Sequence, residues 1–199
     1  MQKWCFEELS LKGAYKIETF FASDIRGGFC KDYSKETFKQ NGLEYNLSET
    51  FYTYSHKGVI RAIHFQLVHQ QPKLMRCISG RVFHVLVDLR PDSKTFKQWM
   101  SFELSGDKYI EILVPAGFGN GYLVLEDNTI MSYKCSEKFY PEYDTGIMWN
   151  DSTINIKWPL NRIGGLANLI LADKDKSLMT FDDYLKKIEN NYALNTKTK

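Results

Sequence analysis

The segment Val59-Ile60-Arg61-Ala62-Ile63-His64-Phe65-Gln66-Leu67 decides how the chain is read. β-branched and aromatic residues dominate it, and its second half alternates apolar with polar, the pattern of an extended strand that packs on a core by one face. Alternation sets His64 and Gln66 on the face of Ile60 and Ala62, opposite Val59, Ile63 and Phe65. Arg61 then belongs to the opposite face, from which it reaches a ligand only through a bulge, or else serves an interface.

Working outward, similar runs occur at Val82 to Leu89, Tyr109 to Val114, Tyr122 to Leu125 and Ile130 to Cys135. Turn chemistry separates them at Ser79-Gly80, Pro91-Asp92-Ser93, Ser105-Gly106-Asp107, Pro115 through Gly121, and Asp127-Asn128. Regularly spaced strands without intervening helices predict a mainly β chain, an antiparallel sandwich or jelly roll. Two helices are predicted outside that block. Ser34 caps a short one that ends at Asn41-Gly42. Thr180-Phe181-Asp182-Asp183 resembles a capping box, and Phe181, Leu185, Ile188 and Tyr192 then recur at helical spacing, so an amphipathic helix is expected over 180–194 with a frayed polar tail at 195–199.

The 199 residues suit one domain over 1–199. A formal net charge of +2, with 25% charged and 43% hydrophobic residues, disfavours a polyanion binder or a disordered chain, so neither nucleic acid nor membrane is an expected partner. No apolar run is long enough to span a bilayer, and Met1 to Cys5 lacks a signal-peptide pattern; a cytoplasmic protein is expected. Cys5, Cys30, Cys77 and Cys135 are scattered without a CxxC pair, which predicts reduced, mostly buried thiols.

An imidazole in a sheet is usually structural, yet His64, held partly out of water, is also a capable general base. The odd spacing from His64 to His69 sends those rings to opposite faces, and His56 and His84 complete no metal-ligand pattern, so no metal is expected. Lys73 stands at the start of the strand-like Leu74 to Cys77, and Tyr133 shares a face with Met131 and Cys135. Taken alone, the first reads as a solvated lysine and the second as a core phenol. Arg26-Gly27-Gly28 offers a guanidinium on a flexible turn, suited to phosphate. Gly117-Phe118-Gly119-Asn120-Gly121 opens no helix and does not read as a dinucleotide loop.

In combination these phrases resemble the dTDP-4-dehydrorhamnose 3,5-epimerases, metal-free cupins that act on nucleotide-linked 4-keto sugars. The resemblance runs from residue 24 to residue 159 in family order: Asp24-Ile25-Arg26-Gly27, Gly58 through Gln66, Lys73-Leu74, Val87-Asp88-Leu89-Arg90, Ser93-Lys94-Thr95-Phe96, Pro115-Ala116-Gly117-Phe118, Tyr133-Lys134, Trp149-Asn150-Asp151 and Trp158-Pro159. It implies a cupin jelly roll and an isomerase that inverts carbon 3, carbon 5 or both through an enolate, without cofactor. His64 is implied as the base, with Asp175, or its rival Asp173, orienting it. Lys73 is implied beside the enolate oxygen and Tyr133 as the acid on the opposite face. Arg26 and Arg61 are implied at the diphosphate, with Phe29, Lys31, Gln66 and Asn120 also contacting substrate. A homodimer is implied, the segment from Arg26 to Lys31 reaching the neighbouring active site. Products of this family usually enter polysaccharides or decorated natural products.

The chain departs from the family pattern in places. Gly28 and Lys31 stand where many relatives carry an aromatic and an acidic residue against thymine; Glu49-Thr50-Phe51 replaces Gln-x-Asn; Gly119-Asn120 replaces Ala-His; and Ala62 replaces a common glycine. The Phe-Gly-Asn phrase and His84 are similar to relatives acting on GDP-linked 4-keto heptoses, which keeps the nucleotide open between dTDP, GDP and CDP. Single-centre epimerisation, 3,4-ketoisomerisation and non-catalytic sugar-nucleotide binding are the rival readings.

Overall fold

Two antiparallel sheets face each other in the computed structural model, which describes residues 1–196. One sheet has six strands in the spatial order β1 (Cys5–Glu8), β2 (Tyr15–Glu18), β10 (Ile110–Val114), β7 (Lys73–Ser79), β12 (Thr129–Cys135) and β5 (Glu49–Ser55). The other has five, in the order β13 (Asp144–Ile147), β6 (Ile60–Gln66), β11 (Phe118–Val124), β8 (Arg81–Asp88) and β9 (Trp99–Ser105). A separate hairpin is made by β3 (Phe20–Asp24) and β4 (Gly27–Lys31). The helices are α1 (Lys35–Gln40), α2 (Asp173–Lys176) and α3 (Phe181–Thr196). This is the expected mainly β jelly-roll class.

The core between the sheets holds Met75, Cys77, Val82, Leu86, Tyr122, Val124 and Met131, every second residue of facing strands, as pleated geometry requires. Outer faces are covered too. α3 lays Phe181, Tyr184, Leu185 and Ile188 over Ile63, Val85 and Val87, and α1 lays Phe38 over Ile17 and Leu74. Burying a residue such as Phe181 contributes about 2 kcal/mol. The caps follow the sequence: Ser34 Oγ accepts from Thr37 N, and Thr180 Oγ1 accepts from Asp183 N at 3.1 Å while donating to the Asp183 carboxylate.

Some expectations need correction. α3 continues through Thr196, so residues 195 and 196 of the supposed frayed tail are helical; 197–199 lie outside the described residues. Only Cys77 and Cys135 are buried; Cys30 is half-buried and Cys5 exposed. The stretch from Pro115 through Gly121, read as a turn, gives its last four residues to β11. Gly119 belongs in that strand because a Cβ there would lie 2.5 Å from Ile63 Cγ2 and 3.0 Å from Leu89 Cδ1, so glycine serves close packing rather than a bend. The strict alternation assumed along β6 also fails. Arg61 pairs with Tyr122 and His64 with Asn120, so two residues of β6 oppose one of β11. This bulge turns Arg61 and His64 to the same inward face, while Ile60 and Ile63 both face outward cores.

Candidate active site

At one end of the sandwich the two sheets part around a cavity of about 510 Å³. Its walls come from opposite sheets. β6 and β11 supply Arg61, His64 and Asn120, and β7, β12 and β5 supply Lys73, Tyr133, Thr53 and Phe51.

His64 Nε2 lies 2.8 Å from Asp175 Oδ1. That contact fixes the ring: Nε2 carries the proton toward the carboxylate, and Nδ1 is left as the basic nitrogen. Asp175 arrives from far along the chain because its segment is clamped at both ends. Ile170 exchanges backbone hydrogen bonds with Gly58 and Ile60 at 2.9 and 3.0 Å, and Met179 does so with Gly146 and Met148 at 3.2 and 3.0 Å. Gly146 pairs with His64, and a Cβ there would meet Ile63 O at 2.5 Å and Leu178 Cδ1 at 3.2 Å, so only glycine lets the segment lie this close. Of the two rival carboxylates, Asp175 is buried and faces His64, whereas Asp173 is 98% exposed and pairs with Lys176.

On the facing wall Lys73 is half-buried, and burial depresses its pKa against the pull of Cys135, Asp144 and Glu49. Tyr133 is buried and stacks on Phe51 with ring centroids 4.5 Å apart. Its hydroxyl donates to the Tyr122 hydroxyl at 2.8 Å, and Tyr122 in turn shares a 2.9 Å hydrogen bond with Thr53 Oγ1. Burial, and then the Tyr122 neighbour, push the Tyr133 pKa well above that of free tyrosine. Among the described residues the Arg61 side chain is held only by a 3.4 Å bond to Ser55 Oγ, its buried Nε has no partner, and no carboxylate pairs with it. A guanidinium so placed is ready for an anion.

The expected site residues divide accordingly. His64, Lys73, Tyr133, Arg61 and Asn120 come together around the cavity, with Asp175 behind the imidazole. Gln66 does not line it: its amide donates to His69 O at 2.6 Å and its Oε1 accepts from Tyr140 N at 2.7 Å, so it pins the following loop. Arg26, Phe29 and Lys31 ride on the β3–β4 hairpin, away from the cavity of their own chain. Arg26 is 85% exposed and paired with Asp24. The sequence reading missed Tyr122 and Thr53. The parity of Asn120 and Tyr122 along one strand would have carried the first into the site, had the strand been read as beginning at Phe118 and not at Tyr122.

Comparison with known proteins gives a consistent picture. The family model described as dTDP-4-dehydrorhamnose 3,5-epimerase matches residues 8–183. A dTDP-4-dehydrorhamnose 3,5-epimerase of Methanothermobacter thermautotrophicus is 40% identical over 177 residues, 89% of this chain and 94% of that one. Among solved structures, a Bacillus anthracis dTDP-4-dehydrorhamnose 3,5-epimerase with TDP and pyrophosphate bound superposes with a TM-score of 0.83 at 35% identity, covering 89% of this chain and 99% of that one. A Legionella pneumophila 3,5-epimerase in complex with dTDP-4-keto-L-rhamnose gives 0.84 at 28% identity, with 90% and 94% covered.

Proposed function

The chain belongs to the dTDP-4-dehydrorhamnose 3,5-epimerase family and is an isomerase of that type, and we propose that it inverts carbon 3, carbon 5 or both in a dTDP-linked 4-keto-6-deoxy sugar. The observation that carries the reading is one cavity with a carboxylate-backed imidazole on one wall and an ammonium and a phenol on the other.

A ketone at carbon 4 acidifies the hydrogens on carbons 3 and 5, so a base on one ring face and an acid on the other are enough for inversion. His64 Nδ1 takes the proton, and Asp175 holds the ring and stabilises the imidazolium that forms. Lys73 sets positive charge at the enolate oxygen, where it favours the transition state over the ketone. Tyr133 returns a proton from the far side. Arg61 holds the diphosphate, beside Asn120. The thymidine nucleotide is supported by the TDP and dTDP-sugar named with the related structures. A homodimer accompanies this reading: the exposed β3–β4 hairpin carries Arg26, Phe29 and Lys31 to the cavity of a second copy, which accounts for their distance from the cavity of their own chain.

Incubation with the dTDP-linked 4-keto-6-deoxy sugar in deuterium oxide tests the reaction. Deuterium is expected at carbon 3, carbon 5 or both, with inverted product by NMR, and none with the His64→Asn variant. Wild-type protein that labels neither carbon with dTDP, GDP or CDP sugars would overturn the reading, as would a ketone relocated to carbon 3.

A further inference from the structure

We propose that Tyr122, held by Thr53, is the positioning residue for the acid step, switching from acceptor to donor so that Tyr133 can release its proton to carbon. The inference rests on the epimerase reading of this cavity and adds a part to it.

In the resting site Tyr133 donates to Tyr122 at 2.8 Å, and Tyr122 and Thr53 share a hydrogen bond of 2.9 Å. All three residues line the cavity, and the two phenols are buried, Tyr122 almost completely. A buried phenol that donates to a neutral acceptor is a poor acid, because ionisation leaves an unsolvated phenolate. A second hydroxyl changes this only if it can turn round. When the Tyr133 O–H bond breaks and a C–H bond forms on the enolate carbon, the phenolate oxygen is left with the Tyr122 oxygen at hydrogen-bond distance. The Tyr122 hydroxyl rotates to donate its proton to that oxygen as a hydrogen bond, without transferring it, and the Thr53 hydroxyl donates to Tyr122 in turn. Charge-assisted hydrogen bonds of this kind are about twice as strong as neutral ones. Arg61, beside Tyr122 on the wall that faces Tyr133, adds positive charge toward that phenol. No proton is lost from Tyr122 or Thr53 over the cycle. The proton gained by His64 and the one given up by Tyr133 balance, and both residues reset through water in the open cavity.

A donor that acts only on the protonation step has a signature that general loosening of the site lacks. It changes how the enolate partitions. An enolate denied its far-side acid lives long enough for the proton on His64 to exchange with deuterium oxide in the open cavity, and His64 then returns deuterium to the face it left, so label enters recovered substrate without inversion.

The test compares full-length wild type, Tyr122→Phe, Thr53→Val and Thr53→Ser with the dTDP-linked 4-keto-6-deoxy sugar in deuterium oxide, with NMR scoring label in unconverted substrate against inverted product. Tyr122→Phe is expected to raise the ratio of uninverted to inverted label by about tenfold or more, where removal of one preorganised donor from a developing oxyanion costs roughly 10²–10³ in rate. Thr53→Val should shift it the same way by less, with Thr53→Ser restoring the wild-type ratio; Thr53→Val also carries the test should Tyr122→Phe not fold. An unchanged ratio in folded Tyr122→Phe or Thr53→Val, whether overall rates hold or fall together, overturns the switch and leaves the epimerase reading standing. Wild type that incorporates no label at all overturns both.

Discussion

In the proposed mechanism Asp175 is the residue that gives the His64 imidazole a defined lone pair. Its carboxylate is buried, 2.8 Å from His64 Nε2, and its amide hydrogen bonds to Ala172 O within the short turn α2. Replacing it with asparagine keeps the volume but lets the side-chain amide donate to Nε2, which moves the ring proton to Nδ1, where the base is needed. Asp175→Asn is therefore expected to lower kcat by about two to four orders of magnitude while leaving the melting temperature within a few degrees; loss of less than threefold would show that the tautomer is fixed by something else. Asp173→Asn, at a fully solvated surface pair with Lys176, should change neither. Which acid does this work was not legible in Ala172-Asp173-Lys174-Asp175. Two carboxylates two residues apart look alike until a backbone turn points one inward.

Among the elements, the hairpin β3–β4 is anchored by charge as well as by packing, Phe21 stacking on Tyr109 with ring centroids 3.6 Å apart. Asp32, just beyond β4, lies 3.2 Å from Arg76 Nη1 on β7 and 2.9 Å from Lys134 Nζ on β12, and Lys134 also bonds the fully buried Glu111 of β10. Burial raises the Glu111 pKa, against the pull of the Lys134 ammonium. Removing that ammonium in Lys134→Met leaves the buried carboxyl with only the Arg76 guanidinium on the neighbouring strand, expected to cost up to about 3–5 kcal/mol at alkaline pH, where the carboxyl ionises in wild type. The sign with pH follows from the direction of the shift. A carboxyl with a raised folded pKa weakens the fold as pH climbs from its unfolded value to its folded one, and in wild type that folded value is already about 7, so the variant should run parallel to wild type below it and lose about 1.4 kcal/mol per pH unit relative to wild type above it, until its own higher folded pKa is passed. The double variant Lys134→Met with Glu111→Leu should recover most of the loss. Denaturant melts across pH check this, and a double variant no better than the single would refute the buried-charge account. The strand pattern around Lys134 was readable from alternation, but its ionic partners were not, because Asp32, Arg76 and Glu111 come from three separate segments.

For the whole molecule, the proposed dimer makes a prediction that no single chain satisfies. Arg26, Phe29 and Lys31 sit on the exposed hairpin, while the cavity holding His64, Lys73 and Tyr133 belongs to the sandwich. If the hairpin completes a neighbour's cavity, then Arg26→Ala and His64→Asn, each nearly inactive alone, should regain up to about a quarter of wild-type turnover when mixed, since a random mixture places half its chains in mixed dimers and each mixed dimer has one intact site. A monomer by sedimentation, or no recovery on mixing, would defeat it.

The β class and both capped helices were determined by sequence alone, and the candidate site residues were legible through the family resemblance, because strand alternation, cap chemistry and the wording of short phrases are local properties of the chain. Tertiary structure decided the rest. Only the bulge opposite Gly121 brings Arg61 to the face of His64, only the clamped segment from Ile170 to Met179 delivers Asp175 rather than Asp173, and only the packing of β11 in one sheet against β12 in the other sets Tyr122 beside Tyr133. Each is a contact between residues distant in sequence, set by packing between strands, and periodicity within one strand carries no information about such a partner.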